Sequence, residues 1–100
     1  MTPPPRILLG QLGAFGDCLY ATAVARQIKH EMPGCHLTWA VGTKFRQVLE
    51  ENPFIDAIWE IPVNSHADVE LVWRHFAAEA RSRARRGDFD QVYFTQVNPD

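Results

Sequence analysis

The sequence holds no apolar run near the roughly 20 residues that a bilayer-spanning helix needs. Its opening, MTPPPRILLG, has neither the charged start nor the unbroken apolar stretch of a secretion signal. The expectation is a cytoplasmic protein. Only two cysteines occur, Cys18 and Cys35; they lie outside any C-x-x-C pair and are too few for a disulfide framework, so both read as reduced thiols. An excess of either charge is also lacking, since the net charge is −2, and this excludes a global field that would draw the chain to nucleic acid or anionic lipid. Repeats and low-complexity segments are absent. What is left is an ordinary globular composition, 46% apolar over 100 residues, which suffices for one domain around one core.

Three prolines at the start cannot form a helix interior and predict an extended arm. The run Arg6 to Gly10, with Ile7, Leu8 and Leu9, predicts a buried strand. From Cys18 to Glu31 a helix is expected on Leu19, Ala23, Val24 and Ile28, ended by Pro33-Gly34. CHLTWAV predicts a second strand, TKFRQVLEEN a helix with Thr43 as N-cap, and FIDAIWEIP a third strand stopped by Pro62. A longer helix from about Asp68 to Arg86 follows, with Val69, Val72, Trp73, Phe76 and Ala80 on one face, and FDQVYFTQ closes as a fourth strand after Gly87. Alternating strands and helices, with near-continuous apolar strands, predict an α/β fold: a doubly wound parallel sheet covered on both faces. The sequence ends at VNPD directly after a strand, so an incomplete domain is expected.

In such a fold ligands sit at the carboxyl ends of the strands, which directs attention to the turn LLGQLGAFGDCLYATAV. It is not a dinucleotide fingerprint, because Gln11 stands two before Gly13 and no acid follows the second strand in AVGTKF. Nor is it a phosphate-binding loop: it ends Gly16-Asp17-Cys18, with an acid where phosphate would approach the helix N-terminus. Two readings of Asp17 stay open. It is an N-cap for the first turn's free N–H groups, or an acid exposed in the functional cleft. Gly13 and Gly16 likewise either supply positive φ for a tight turn or let a substrate come close.

The segment from Arg6 to Pro62 resembles the start of the heptosyltransferase family, glycosyltransferase family nine of bacterial lipopolysaccharide synthesis. The likeness rests on Gly16-Asp17 opening the first helix, Thr22 one turn in, Pro33-Gly34 before the second strand, and Asn52-Pro53-Phe54 with Ile55-Asp56 before the third. FDQVYFTQ is similar to the strand the family writes as Tyr-Asp-Leu-Val-Ile-Asp-Leu-Gln. The resemblance implies the N-terminal, acceptor-side Rossmann-like half of a GT-B glycosyltransferase. A nucleotide sugar such as ADP-heptose would bind a C-terminal half outside these residues, and neither a metal nor a cofactor is implied. It places the catalytic base on Asp17 and sets Gly13, Gly16, Gln11 and Thr22 against the substrate. The acceptor would be a glycan or glycolipid of the lipopolysaccharide core. Relatives usually carry a basic residue where Gln11 stands and a Thr-Pro pair where Thr22-Ala23 stands, departures that bear on acceptor choice. A carboxylate at a helix N-terminus has its charged form favoured and should be a weak base, which is in tension with that role; a concerted attack late in proton transfer can still use it.

Other residues invite less. His30-Glu31 and His36 miss the H-E-x-x-H spacing of a zinc site, His66 and His75 are expected at the surface, and Cys18 reads as a small buried residue. Arg81, Arg83, Arg85 and Arg86 either complement the helix dipole or form a patch for anionic lipid at the inner membrane. Trp39, Trp59 and Trp73 are expected in the core. The rival to the enzyme is a non-enzymatic, flavodoxin-like partner-binding module.

Overall fold

The computed structural model describes residues 3–13, 15–63 and 65–95, the side chains at 15–17 and 66 excepted. Four parallel strands, β1 (Arg6–Gly10), β2 (His36–Gly42), β3 (Ala57–Ile61) and β4 (Gln91–Phe94), form one sheet in the order β3-β2-β1-β4. Helix α1 (Phe15–Glu31) joins β1 to β2, and α2 (Val69–Arg85) joins β3 to β4. Registers such as Leu9 opposite both Trp39 and Tyr93 make β1 a central strand, which accounts for its uninterrupted apolar run.

The two-residue period of the strands divides the core into two layers. Ile7, Leu9, Leu37, Trp39 and Val41 pack with α1, whereas Leu8 and Ala40 pack with Trp73, Phe76 and Ala80 of α2. The helices therefore cover opposite faces, as a doubly wound arrangement requires. The α2 layer is aromatic: Trp59 lies edge-on to Phe76 with centroids 5.2 Å apart, and Trp73 meets Phe94 at 5.1 Å. Gly10 is needed there, since a Cβ on it would come within 2.9 Å of the Phe94 and Phe76 rings.

Helix α1 departs from its expected stripe. Its buried residues are Cys18, Ala21, Ala25 and Ile28, while Leu19 is 63% exposed and Ala23 faces solvent. The reason is steric: the fully buried Trp39 fills this layer, and small residues let the helix axis approach the sheet. The expected helix at TKFRQVLEEN is only a 3₁₀ turn, Thr43–Val48, preceded by Gly42 and without a side-chain cap. That segment leads back to β3, with Asp56 N donating to Leu37 O at 2.9 Å. Helix α2 ends as expected. Gly87 adopts φ +91°, and Asp88 N reaches back to Arg83 O at 2.9 Å.

The Asn52-to-Asp56 motif is structural. Asn52 Oδ1 accepts from Phe54 N at 2.8 Å, and Asp56 Oδ2 accepts from Leu37 N at 2.7 Å and from Lys29 Nζ at 2.6 Å. Burial by itself raises the Asp56 carboxyl, but the Leu37 N–H and the Lys29 ammonium outweigh it and hold the carboxyl below its usual value. A depressed native value stabilises the fold above the unfolded carboxyl value, about 3.9, and that contribution is lost as pH falls through the native one. Asp56→Asn should therefore lower Tm by a few degrees at pH 7, with the gap to the natural chain closing below about pH 4. Thermal melts of both proteins across that range check the sign.

Candidate functional site

The sheet order places a topological switch point between β1 and β4, where the connections leave in opposite directions. Its floor is the segment 11–13. Gln11 N donates to Ala40 O at 3.1 Å, Trp39 Nε1 donates to Gln11 O at 3.0 Å, and Gly42 N donates to Leu12 O at 2.9 Å. The Gln11 side chain completes the clamp, with Nε2 donating to Gly13 O and Oε1 accepting from Thr95 Oγ1, both at 2.7 Å. β2 and the end of β4 thus fix the turn that launches α1.

Gln11 is fully buried, so it holds the crevice from beneath, and touching a substrate would require it to leave these partners. Gly13 does not have positive φ; among the described residues only Gly87 does. What Gly13 provides is space, because a Cβ there would collide with the Phe45 ring. Gly16 and Asp17 fall in the first turn of α1, which begins at Phe15. Asp17 is therefore the third residue of the helix and not its N-cap, because the clamped turn passes into the helix earlier than the apolar pattern indicates. An acid in the first turn still interacts favourably with the helix dipole. Its side chain lies outside the described residues. Thr22 is about 7.5 Å further along the helix axis. Its hydroxyl donates to Leu19 O at 2.6 Å, and it lines an open groove of about 870 Å³ between α1 and the segment preceding β3.

Three of the four arginines that close α2 have partners, Arg81 lying 6.0 Å over the Phe94 ring. Arg83 stacks 4.0 Å over the Trp59 ring and pairs with Glu79, while Arg86 pairs with Asp88. Trp39 and Trp73 are buried as expected, and Trp59 is half-buried. His75 is exposed, as expected, and the side chain of His66 is outside the described residues. Among the described residues no three His, Cys, Asp or Glu gather as a metal site, and no helix is long and apolar enough to cross a membrane. Cys18 and Cys35 are both buried.

Sequence reasoning did not single out Thr95, Gly42, Phe45 or the indole of Trp39 as parts of this site. Thr95 meets Gln11 across 84 residues, and no local pattern announces such a pair.

An open parallel α/β sheet with a clamped crevice at its switch point defines a broad class of ligand-binding and catalytic domains. No protein-family model matches the chain, and no curated protein matches its sequence. Among solved structures it is similar to a glycosyl transferase family 9 protein from Veillonella parvula, with a TM-score of 0.71 and 24% identity over 98% of this chain. The likeness shows a shared fold, and the chain spans 28% of that structure's length.

Proposed function

We propose that this chain is the acceptor-side, N-terminal part of an inverting glycosyltransferase of the GT-B type. The enzyme moves a heptose-like sugar from a nucleotide-sugar donor, such as ADP-heptose, to a lipopolysaccharide-core or related glycan acceptor. Asp17 takes the proton from the acceptor hydroxyl as that oxygen attacks the anomeric carbon. The bond from that carbon to the nucleoside diphosphate breaks, and the configuration inverts. Gly13 and Gly16 keep the approach to Asp17 open, Gln11 steadies the turn from below, and Thr22 meets the acceptor further along α1. In this reading no metal or cofactor takes part, and the work is done on the cytoplasmic side of the inner membrane.

The observation that carries this reading is one coincidence. The Gly16-Asp17 pair sits in the first turn of α1 at the switch point, in a chain that superposes over nearly its whole length on a glycosyl transferase family 9 structure. The turn also lacks the sequence of a phosphate cradle, which is in keeping with a donor diphosphate bound by the other half. Calorimetry with ADP-, UDP- and GDP-sugars tests the division. The full-length enzyme should give saturable heat with one donor, and the 100-residue chain with none. Submicromolar binding to the 100-residue chain would contradict the domain assignment, and no binding by the full-length protein would favour a non-enzymatic module.

A further inference from the structure

The groove beside α1 has a chemistry of its own. One wall is the face of α1 carrying Thr22, Arg26 and Gln27; the other comes from the segment between β2 and β3 and carries Glu51, Asn52 and Phe54. Each of the other five glutamates in the chain is ion-paired or hydrogen-bonded: Glu31 to Gln27, Glu50 and Glu60 to Arg46, Glu70 to Arg74, and Glu79 to Arg83. Among the described residues Glu51 has no such partner, nor has Arg26 on the facing wall. Two opposite charges thus line one groove without neutralising each other. Their presence together disfavours a ligand of a single charge, since a phosphate or carboxylate drawn to Arg26 also meets Glu51, and a cation drawn to Glu51 also meets Arg26. A neutral molecule rich in hydroxyls satisfies both, because each hydroxyl donates to a carboxylate and accepts from a guanidinium or carboxamide. Asn52 is pre-aimed, since its Oδ1 is held by Phe54 N and its NH₂ remains as a donor. Half-buried Phe54 packs against the core and gives the groove an aromatic surface for the apolar face of a pyranose ring.

We propose that this groove is a binding site for a neutral saccharide, separate from the crevice that holds Asp17. It runs from Thr22 along α1 away from the crevice, so under the proposed function it takes sugar units of the acceptor remote from the reacting hydroxyl. Binding itself does not depend on that reading.

The test is an NMR titration of the ¹⁵N-labelled full-length protein with maltotriose, lactose and cellobiose, and with glucose 6-phosphate beside glucose. Saturable shifts confined to residues 22–30 and 48–54 are expected with at least one neutral saccharide. Arg26→Ala and Glu51→Ala should each weaken binding about tenfold, the loss of one charge-assisted hydrogen bond. Both residues are exposed, and an unchanged spectrum outside the groove verifies the fold of each variant. Asp17→Asn should leave the shifts intact even where it abolishes sugar transfer, which separates this site from the catalytic reading. The proposal is overturned if no neutral saccharide moves these resonances, or if glucose 6-phosphate binds more tightly than glucose in an Arg26-dependent way.

Discussion

Under the proposed function, replacing Asp17 with asparagine in the full-length protein should lower kcat about 10²–10⁴-fold, the contribution of a positioned general base. Asparagine is nearly the same size and keeps the polar side chain, but it cannot take up a proton at neutral pH. Asp17 is the third residue of α1, so losing its charge removes a favourable interaction with the helix dipole of about 0.3–1 kcal/mol. For a domain of this size that lowers Tm by a few degrees at most. A catalytic role and a structural role therefore separate by orders of magnitude in rate against a small change in melting. Steady-state kinetics and thermal melts on the same preparations make the comparison. A folded Asp17→Asn enzyme with near-normal kcat would leave Asp17 as a helix-end charge only.

The second large effect is on stability and comes from Gly42. Its φ of −64° is open to any residue, so the constraint is space: a Cβ there would lie 2.5 Å from the Leu12 carbonyl oxygen. That oxygen belongs to the backbone and accepts from Gly42 N, so it cannot swing aside as a side chain would. Gly42→Ala should therefore cost about 1–3 kcal/mol and lower Tm by on the order of 10 °C, and it should displace the crevice floor. Gly34→Ala is the matched control. Nothing lies within 4 Å of a Cβ at Gly34, and the change should be neutral or stabilising by up to about 1 kcal/mol. Melting curves that place the two variants together would remove the steric account of the Gly42 contact with Leu12.

The regular elements were legible because their signals are local. Ile7, Leu8 and Leu9 followed by Gly10 mark β1 to the residue, and the stripe of Trp73, Phe76 and Ala80 marks the buried face of α2. The face of α1 was legible at Val24 and Ile28 but misread at Leu19 and Ala23, because residue size decided it and hydrophobicity did not. Ala21 and Ala25 are buried while Leu19 is exposed, a choice made by the bulk of Trp39 on a strand 21 residues from Cys18. Asn52 and Asp56 were legible as a motif but not as a latch, since their partners Leu37 and Lys29 are on other elements. The crevice was legible in position, because a glycine-rich turn after the first strand of a parallel sheet falls at its carboxyl end. Its rigidity was not. The clamp on residues 11–13 draws on Trp39, Ala40, Gly42 and Thr95, which the fold brings together from β2 and the end of β4.

The anomeric configuration of the transferred sugar gives the most direct test that this chain belongs to an inverting glycosyltransferase. The full-length protein is incubated with an α- or β-linked nucleotide-heptose and a lipopolysaccharide-core oligosaccharide, and the product linkage is read by NMR. Attack by an acceptor oxygen deprotonated by Asp17 predicts a single product of configuration opposite to the donor's. Transfer with retained configuration would contradict direct attack assisted by Asp17, and no transfer from any donor to any glycan would contradict the enzyme itself.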